Sequence, residues 1–324
     1  MREETLGLRV IPKKGLDAYF HLTSSTFNIP VLVPVNVILK RIMNPSEIIS
    51  HIEPKKKWLD VDIKGLWRYR DLYRMYIKRD IVTQYKQTIL GPAWYLIQPL
   101  FTTIMYMFVF GGLAGISTDG IPQPLFYMAG ITLWNYFSTC FSSCSNVFSA
   151  NQGVFGKVYF PRLVVPLSSI TSNLIRMLIQ LLMFILIYVY YVATDKFPLT
   201  LSFTLLLAPV LIIMIGLHAM SWGLIITSLT TKYRDLTMLI GFGVQLLMYA
   251  TPVIYPLSFA PAQYQVYINI NPLSPIFEAF KYSCLGVGTF SISGLLYSAT
   301  FLVITMFFAV IIFNRTEQRF MDTV

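Results

Sequence analysis

Charged residues divide the chain into long uncharged runs at 87–118, 120–156, 177–194, 197–231, 236–277 and 282–314. Each run is near or above the ~18 to 20 residues that carry an α-helix across about 30 Å of hydrocarbon. Backbone N–H and C=O groups find no water in lipid, so these segments are expected as helices. The runs are continuously apolar and lack the alternation of a membrane β-barrel strand. The pattern therefore predicts an all-α polytopic membrane protein with six transmembrane helices, at about 92–115, 124–150, 163–193, 201–229, 235–256 and 290–313.

Ahead of the first run the period changes. Between 64 and 88, Leu66, Tyr69, Leu72, Tyr73, Tyr76, Ile77 and Ile81 share one helical arc, and Arg68, Asp71, Arg74, Lys78 and Arg79 take most of the other. This is an amphipathic helix with a cationic face, suited to the headgroup layer. A nucleic-acid patch is the alternative, but a bilayer is the nearer polyanion for a helix that directly precedes a span. Gly91-Pro92 ends it, and Trp94 and Tyr95 suit the headgroup boundary.

The stretch from Thr251 to Phe290 holds five prolines and only two charges, Glu278 and Lys281. It is too apolar for a solvated loop and too broken for a further span. It predicts two short re-entrant helices, near 259–268 and 275–286, with their freed backbone groups buried in protein. Glu278 and Lys281 are three apart and can pair on one face.

Charge sets the orientation. Of 25 Lys and Arg, 16 fall in residues 1–91, and Lys157, Arg162, Lys232, Arg234, Arg315 and Arg319 follow the second, fourth and sixth predicted helices. The opposite segments hold Lys196 and Lys281 alone, which places both termini in the cytoplasm. With 12% charged residues, the composition lies far from the ~25% of a soluble domain. No cleavable signal peptide is expected, since IPVLVPVNVIL at 29–39 is short and broken by prolines. Residues 1–57 read as a cytoplasmic extension closed by the basic run Lys55–Lys57, and 58–324 as the membrane domain. Cys140, Cys144 and Cys284 lack zinc-type spacing and read as packing residues.

Candidate chemistry is sparse. NQGVFGKVYFPR at 151–162 contains a Gly-Lys pair, but Asn151 stands where a phosphate loop needs its first glycine and Val158 where it needs a magnesium-binding hydroxyl. Three histidines (His21, His51, His218), no HExxH and no paired acidic cluster predict no catalytic residue, no metal site and no cofactor bound by this chain. Inside the spans, Arg176 has two readings: it snorkels or bonds carbonyls of a neighbouring helix, or it lines a path for an anionic substrate. His218 reads as a packing residue. Tyr106, Phe108, Phe110, Phe242 and Tyr249 either pack and face lipid or offer flat faces to a passing sugar chain.

Several segments together, in order, resemble the transmembrane subunits of ABC-2 type exporters, specifically polysaccharide and O-antigen permeases. They are LWRYRDLYRMYIKRDIVTQYKQTILGPAWYLIQP (66–99), KVYFPRLVVP (157–166), YRDL (233–236), TPVIYP (251–256), NPLSPIFEAFKY (271–282) and EQRFMDTV (317–324). The resemblance implies a multi-pass protein of the bacterial inner membrane, a homodimer of this permease and two copies of a separate ABC ATPase that binds ATP and Mg. It also implies a channel that moves an undecaprenyl-type lipid-linked glycan to the periplasm. Carried onto this chain, the coupling helix is 151–162, with Asn151, Gln152, Val154, Phe155, Gly156, Lys157, Tyr159, Phe160 and Arg162, and with Phe155 and Tyr159 as docking anchors. The interface helix offers Arg68, Arg70, Arg74, Lys78, Arg79 and Lys86. A periplasmic gate spans 257–286 and includes Tyr264, Tyr267, Phe277, Glu278 and Lys281. The extension at 1–57 departs from the family pattern. Teichoic acid, another lipid-linked polymer or a small drug are alternative cargoes. An ion-coupled flippase would need acidic residues in the spans, and a membrane glycosyltransferase would need a soluble acidic site; neither feature is found.

Overall fold

The structure, a computed structural model, describes residues 8–11, 19–24, 27–34, 63–86, 90–158, 160–199, 203–233 and 235–323. The chain divides into two units, Met1–Lys57 and Trp58–Val324. The first carries a three-stranded antiparallel sheet of β1 (Leu8–Ile11), β2 (Tyr19–Ser24) and β3 (Phe27–Pro34), in the order β1-β2-β3. Pro30 and Pro34 fall on β3, an edge strand, where a missing N–H is tolerated. The sequence pattern leaves the structure of residues 1–57 open, and the sheet there makes the chain predominantly helical instead of all-α. Ile29, Val31 and Val33 alternate along β3, a period-two signal masked by the prolines around it.

The second unit is helical among its described residues. The interface segment forms α1 (Ile63–Arg68) and α2 (Arg70–Tyr85), interrupted at Tyr69, whose ψ of 23° departs from the helix. Next come α3 (Trp94–Tyr106), continued as a wider turn over Met107–Leu113, and α4 (Gln123–Ser145). A short α5 (Val147–Phe155) precedes α6 (Val164–Ala193), α7 (Ala208–Thr230) and α8 (Leu236–Tyr249). Two short helices, α9 (Ala262–Ile270) and α10 (Ser274–Leu285), lead into the long α11 (Ile292–Thr323). Proline stands in the first turn of α4, α7 and α10, where its absent N–H costs no bond.

Four helical stretches are long and apolar enough to cross a membrane: Trp94–Leu113, Val164–Ala193, Phe203–Thr230 and Ile292–Gln318. Two of the six expected spans differ from the pattern. Helix α4 has the length, 23 residues or about 34 Å, but it carries more polar positions and is the most deeply enclosed. It packs against α3, α6, α7, α8 and α10, with Leu125, Phe126, Met128 and Phe137 in the main core. Gly130 allows the close approach on one side, because a Cβ there would collide with the Val253 carbonyl. Helix α8 is shorter than the expected 235–256. It ends at Tyr249 after 14 residues, about 21 Å, because Thr251-Pro252 breaks it.

Beyond that break the backbone is irregular, and side chains satisfy its carbonyls. Lys281 Nζ donates to Pro252 O at 2.5 Å, Asn271 Nδ2 to Ala250 O at 3.3 Å, and the Tyr255 hydroxyl to Tyr249 O at 3.0 Å. Non-helical backbone in apolar surroundings persists only with such partners. Two short helices are present within a few residues of the ends predicted for that segment. Cys140 and Cys144 are buried and unbridged, as packing residues should be.

Candidate functional site

The segment expected to couple begins where α4 ends. Asn146 (φ −116°, ψ 17°) separates α4 from α5, and Asn151 repeats that backbone kink. Short polar side chains that bond nearby carbonyls favour such breaks; Asn146 Nδ2 donates to Ser142 O at 3.1 Å and Asn151 Nδ2 to Val147 O at 2.9 Å. One side of α5 faces inward: Phe148 stacks on Phe313 of α11 at 4.9 Å, and Phe155 meets Phe148 at 5.9 Å and Phe160 at 5.7 Å. The Arg162 guanidinium lies 4.9 Å from the Phe155 ring, and its Nε stands 3.8 Å from Glu317 Oε1.

This geometry corrects one assignment. Phe155 is 2% exposed and therefore holds the element together instead of presenting an anchor to a partner. Asn151, Phe160 and Arg162 are likewise buried, and Tyr159 lies outside the described residues. The face left open consists of Gln152, Gly153, Val154, Gly156, Lys157 and Val158. Val158 was not among the expected coupling residues, although its spacing of four from Val154, away from Phe155, was a usable signal.

The interface helix sits on the same aromatic cluster. Tyr76 packs against Phe160 at 6.2 Å, and the Tyr73 hydroxyl bonds Thr171 Oγ1 of α6 at 2.6 Å. Burial pushes the Tyr76 phenol above its ordinary pKa, opposed by the Arg79 guanidinium 4.4 Å from its ring. Arg68, Arg70, Arg74, Lys78, Arg79 and Lys86 are all exposed, as the amphipathic period requires.

Between α2, α4, α5 and α6 lies a polar cavity of about 470 Å³. Arg79, Asp80 and Thr83 line it from α2, Ser143 and Asn146 from the end of α4, Asn151 from α5, and Ser172, Asn173 and Arg176 from α6. Arg79 is compensated by Asp80, with Nη2 to Oδ1 at 2.8 Å. Arg176 Nη1 donates to Asn173 Oδ1 at 2.9 Å, its guanidinium lies 5.6 Å from the Tyr95 ring, and its Nε is buried without a hydrogen-bond partner. A guanidinium with a spare donor, among hydroxyls and amides, is chemistry for an anionic oxygen ligand. Asp80, Asn146, Ser172 and Asn173 escaped the sequence reading because only the fold brings them to Arg176.

The remaining candidates divide by burial. Tyr106 and Phe110 turn toward α4, with Tyr106 meeting Tyr127 at 6.3 Å and Phe110 at 5.3 Å. Phe108, Phe242 and Tyr249 lie on exposed faces of the α3 continuation and of α8. Between α8 and α11 Tyr264 and Tyr267 are exposed, whereas Phe277, Glu278 and Lys281 are buried. The last three therefore pack inside the segment expected to form the gate, and the two tyrosines lie on its surface. His218 bonds Ser298 Oγ at 3.1 Å, which joins α7 to α11 as a packing residue would.

The family model of the ABC-2 type transporters matches residues 71–285. The chain belongs to the ABC-2 type transporter family. Among relatives of this ABC-2 protein, the O-antigen export system permease protein RfbA of Klebsiella pneumoniae is 27% identical over 257 residues, covering 78% of this chain and 94% of its own length. An O-antigen export permease RfbA of Myxococcus xanthus is 23% identical over 68% of this chain and 82% of its own. The polysialic acid transport protein KpsM of Escherichia coli is 23% identical over 74% of this chain and 91% of its own.

Proposed function

We propose that the chain is the membrane permease subunit of an ATP-driven exporter that carries a lipid-linked polysaccharide across the cytoplasmic membrane. The observation that carries this reading is the similarity to polysaccharide export permeases over about three quarters of this chain and more than nine tenths of their own length, beside the family match over 71–285. The chain performs no covalent chemistry in this reading. A separate ABC ATPase, present in two copies, binds ATP and Mg and hydrolyses the nucleotide, and two copies of the permease form the channel.

In this reading α3, α4, α6, α7, α8 and α11 are the six crossings, and α9 and α10 are re-entrant from the periplasmic side. The crossing begun by α8 is completed by the irregular stretch 250–256, whose Ala250 and Pro252 carbonyls are bonded by Asn271 and Lys281, while Tyr255 bonds the last carbonyl of α8. Both termini and residues 1–57 are cytoplasmic, in keeping with the 16 Lys and Arg in residues 1–91.

The open face of α5 and the following turn docks on the ATPase, and the cationic face of α2 lies on lipid or at the ATPase margin. The α2–α4–α5–α6 cavity receives the anionic linker between lipid and glycan, with Arg176 as its cation. Nucleotide-driven closure of the ATPases would then push α5, shift α2 and α6, and move the spans between channel states.

The test is export itself. Cells lacking the chain should accumulate lipid-linked glycan on the cytoplasmic side and lose surface polysaccharide, and the full chain should restore it. Surface polysaccharide that persists at its normal level without the chain would overturn the reading.

A further inference from the structure

We infer that the cleft enclosed by α9, α10 and the first turn of α11 is a binding site for a neutral, hydroxyl-rich sugar unit; this rests on the polysaccharide-export reading and adds a contact on the outer side. The cleft has a volume of about 450 Å³, within the range of small-ligand sites. Its polar groups are Glu278, Ser274, Asn269, Thr289, Ser291 and Ser293, and its apolar walls are Pro275, Leu257 and Tyr297.

Glu278 is the centre of the case. It is 4% exposed, yet its partners are distant: Lys281 Nζ at 3.5 Å from Oε1, and Thr289 N and Oγ1 at 3.4 and 3.3 Å from Oε2. The short bond of Lys281 goes to Pro252 O instead. A carboxylate offers about four lone-pair sites and prefers contacts near 2.7 to 2.9 Å, so Glu278 retains acceptor capacity. One turn earlier on the same helix, Ser274 is 1% exposed and its hydroxyl has no partner. Two under-used polar groups line one cleft, where buried groups are ordinarily paired.

The charge balance selects the ligand class. Lys281 already compensates Glu278, so a cation would gain little, and the carboxylate repels an anion. Sugar hydroxyls fit, because a carboxylate accepts from two neighbouring hydroxyls, and the Asn269 amide and the Ser291 and Ser293 hydroxyls both donate and accept. Tyr297 supplies a flat ring, held by its hydroxyl to Ile270 O at 2.8 Å. The cleft is narrow at its base because Gly294 lets α11 approach α10; a Cβ there would stand 3.1 Å from Pro275 Cβ.

The experiment places the full-length permease in lipid nanodiscs with oligosaccharides cut from the surface polysaccharide of the producing cells, and reads saturation-transfer NMR. Transfer to sugar ring protons is expected. Asn269→Ala and Ser293→Ala, at exposed positions that leave folding intact, should each weaken binding about fivefold, the effect of one hydrogen bond. Glu278→Gln should weaken it about tenfold, as a charge-assisted bond would; should that variant not assemble, the two exposed variants decide. No transfer at millimolar oligosaccharide, affinity unchanged in the variants, or transfer only with the intact lipid-linked glycan would overturn the site. A chain that restores export and shows no transfer overturns the cleft alone. Export that persists without the chain overturns the reading beneath it, and the site with it.

Discussion

The region around α5 and the region around α10 each bury a cation, and the two do different work. Arg162 lies over Phe155 and reaches Glu317, 155 residues further along the chain, so it ties the segment around α5 to the last helix. Lys281 lies 4.1 Å from the Phe126 ring and pairs with Glu278 only three residues away, but its short bond is to a carbonyl freed by the break after α8. The first cation joins two elements far apart in sequence, and Glu317 keeps some access to water. The second satisfies backbone that has no other donor. A joint of the first kind can act in a conformational cycle, whereas the second is a fixed support.

Removing the fixed support should have the largest effect. Lys281→Met leaves Glu278 as an uncompensated buried charge and Pro252 O without its donor, a loss of about 3–5 kcal/mol. The thermal midpoint of the purified permease should fall accordingly. Lys281→Met combined with Glu278→Gln should recover part of that loss, because the charge left behind is gone. Equal midpoints for the single and double variants would show that the pair does not matter and that the carbonyl bond alone does.

The joint at Arg162 comes second. Arg162→Gln should cost about 1.5–3 kcal/mol, the range of a hydrogen bond to a charged group, and Glu317→Gln should add little once Arg162 is gone. The distinguishing readout is ATPase coupling: with the joint loosened, hydrolysis by the reconstituted complex should continue while glycan export falls. Proportional loss of both would make Arg162 a stability residue like Lys281 and erase the contrast.

What the sequence revealed follows the same division. Helix positions, the two short helices before α11 and the Glu278–Lys281 pair were readable because each depends on local period, proline placement or i,i+3 spacing. The inward turn of Phe155 was not, since its partner Phe148 is itself seated on Phe313, on a helix more than a hundred residues away. For the same reason the cavity around Arg176 was half visible: the cation within an apolar helix could be found, but Asp80, Asn146 and Asn173 meet it only in the fold. The end of α8 was anticipated too late because a run of apolar residues says nothing about where side chains such as Lys281 and Asn271 will accept a broken backbone. The strands of the extension had a period-two signal, and the prolines on the edge strand hid it.

Arg176 tests whether the region around α5 does more than dock. Arg176→Leu removes a guanidinium whose hydrogen bond goes to Asn173 on its own helix, so the packing between helices should change little. Export should fall about tenfold or more if the cavity holds an anionic linker, the worth of a charge-assisted contact, and Arg176→Lys should restore part of it as a point charge without the planar fork. Unchanged export in Arg176→Leu would reduce the residue to a packing role and leave the cavity without a cation to explain it.

The smallest effect on the permease itself should come from its open coupling face. Val154 and Val158 are exposed, at 39% and 59%, so Val154→Asp and Val158→Asp should move stability by no more than about 0.5 kcal/mol. Their effect belongs to the partner: a carboxylate set into an apolar contact must be desolvated, which should weaken ATPase association and reduce coupled export. Phe155→Ala is the opposite control. It should destabilise the permease by about 3–5 kcal/mol through the cavity it opens among Phe148, Phe160 and Arg162. Weakened association in the two Val variants without a lower thermal midpoint, beside a lower midpoint in Phe155→Ala, would separate the surface that meets the ATPase from the aromatic cluster that supports it; the reverse pattern would return Phe155 to the docking face.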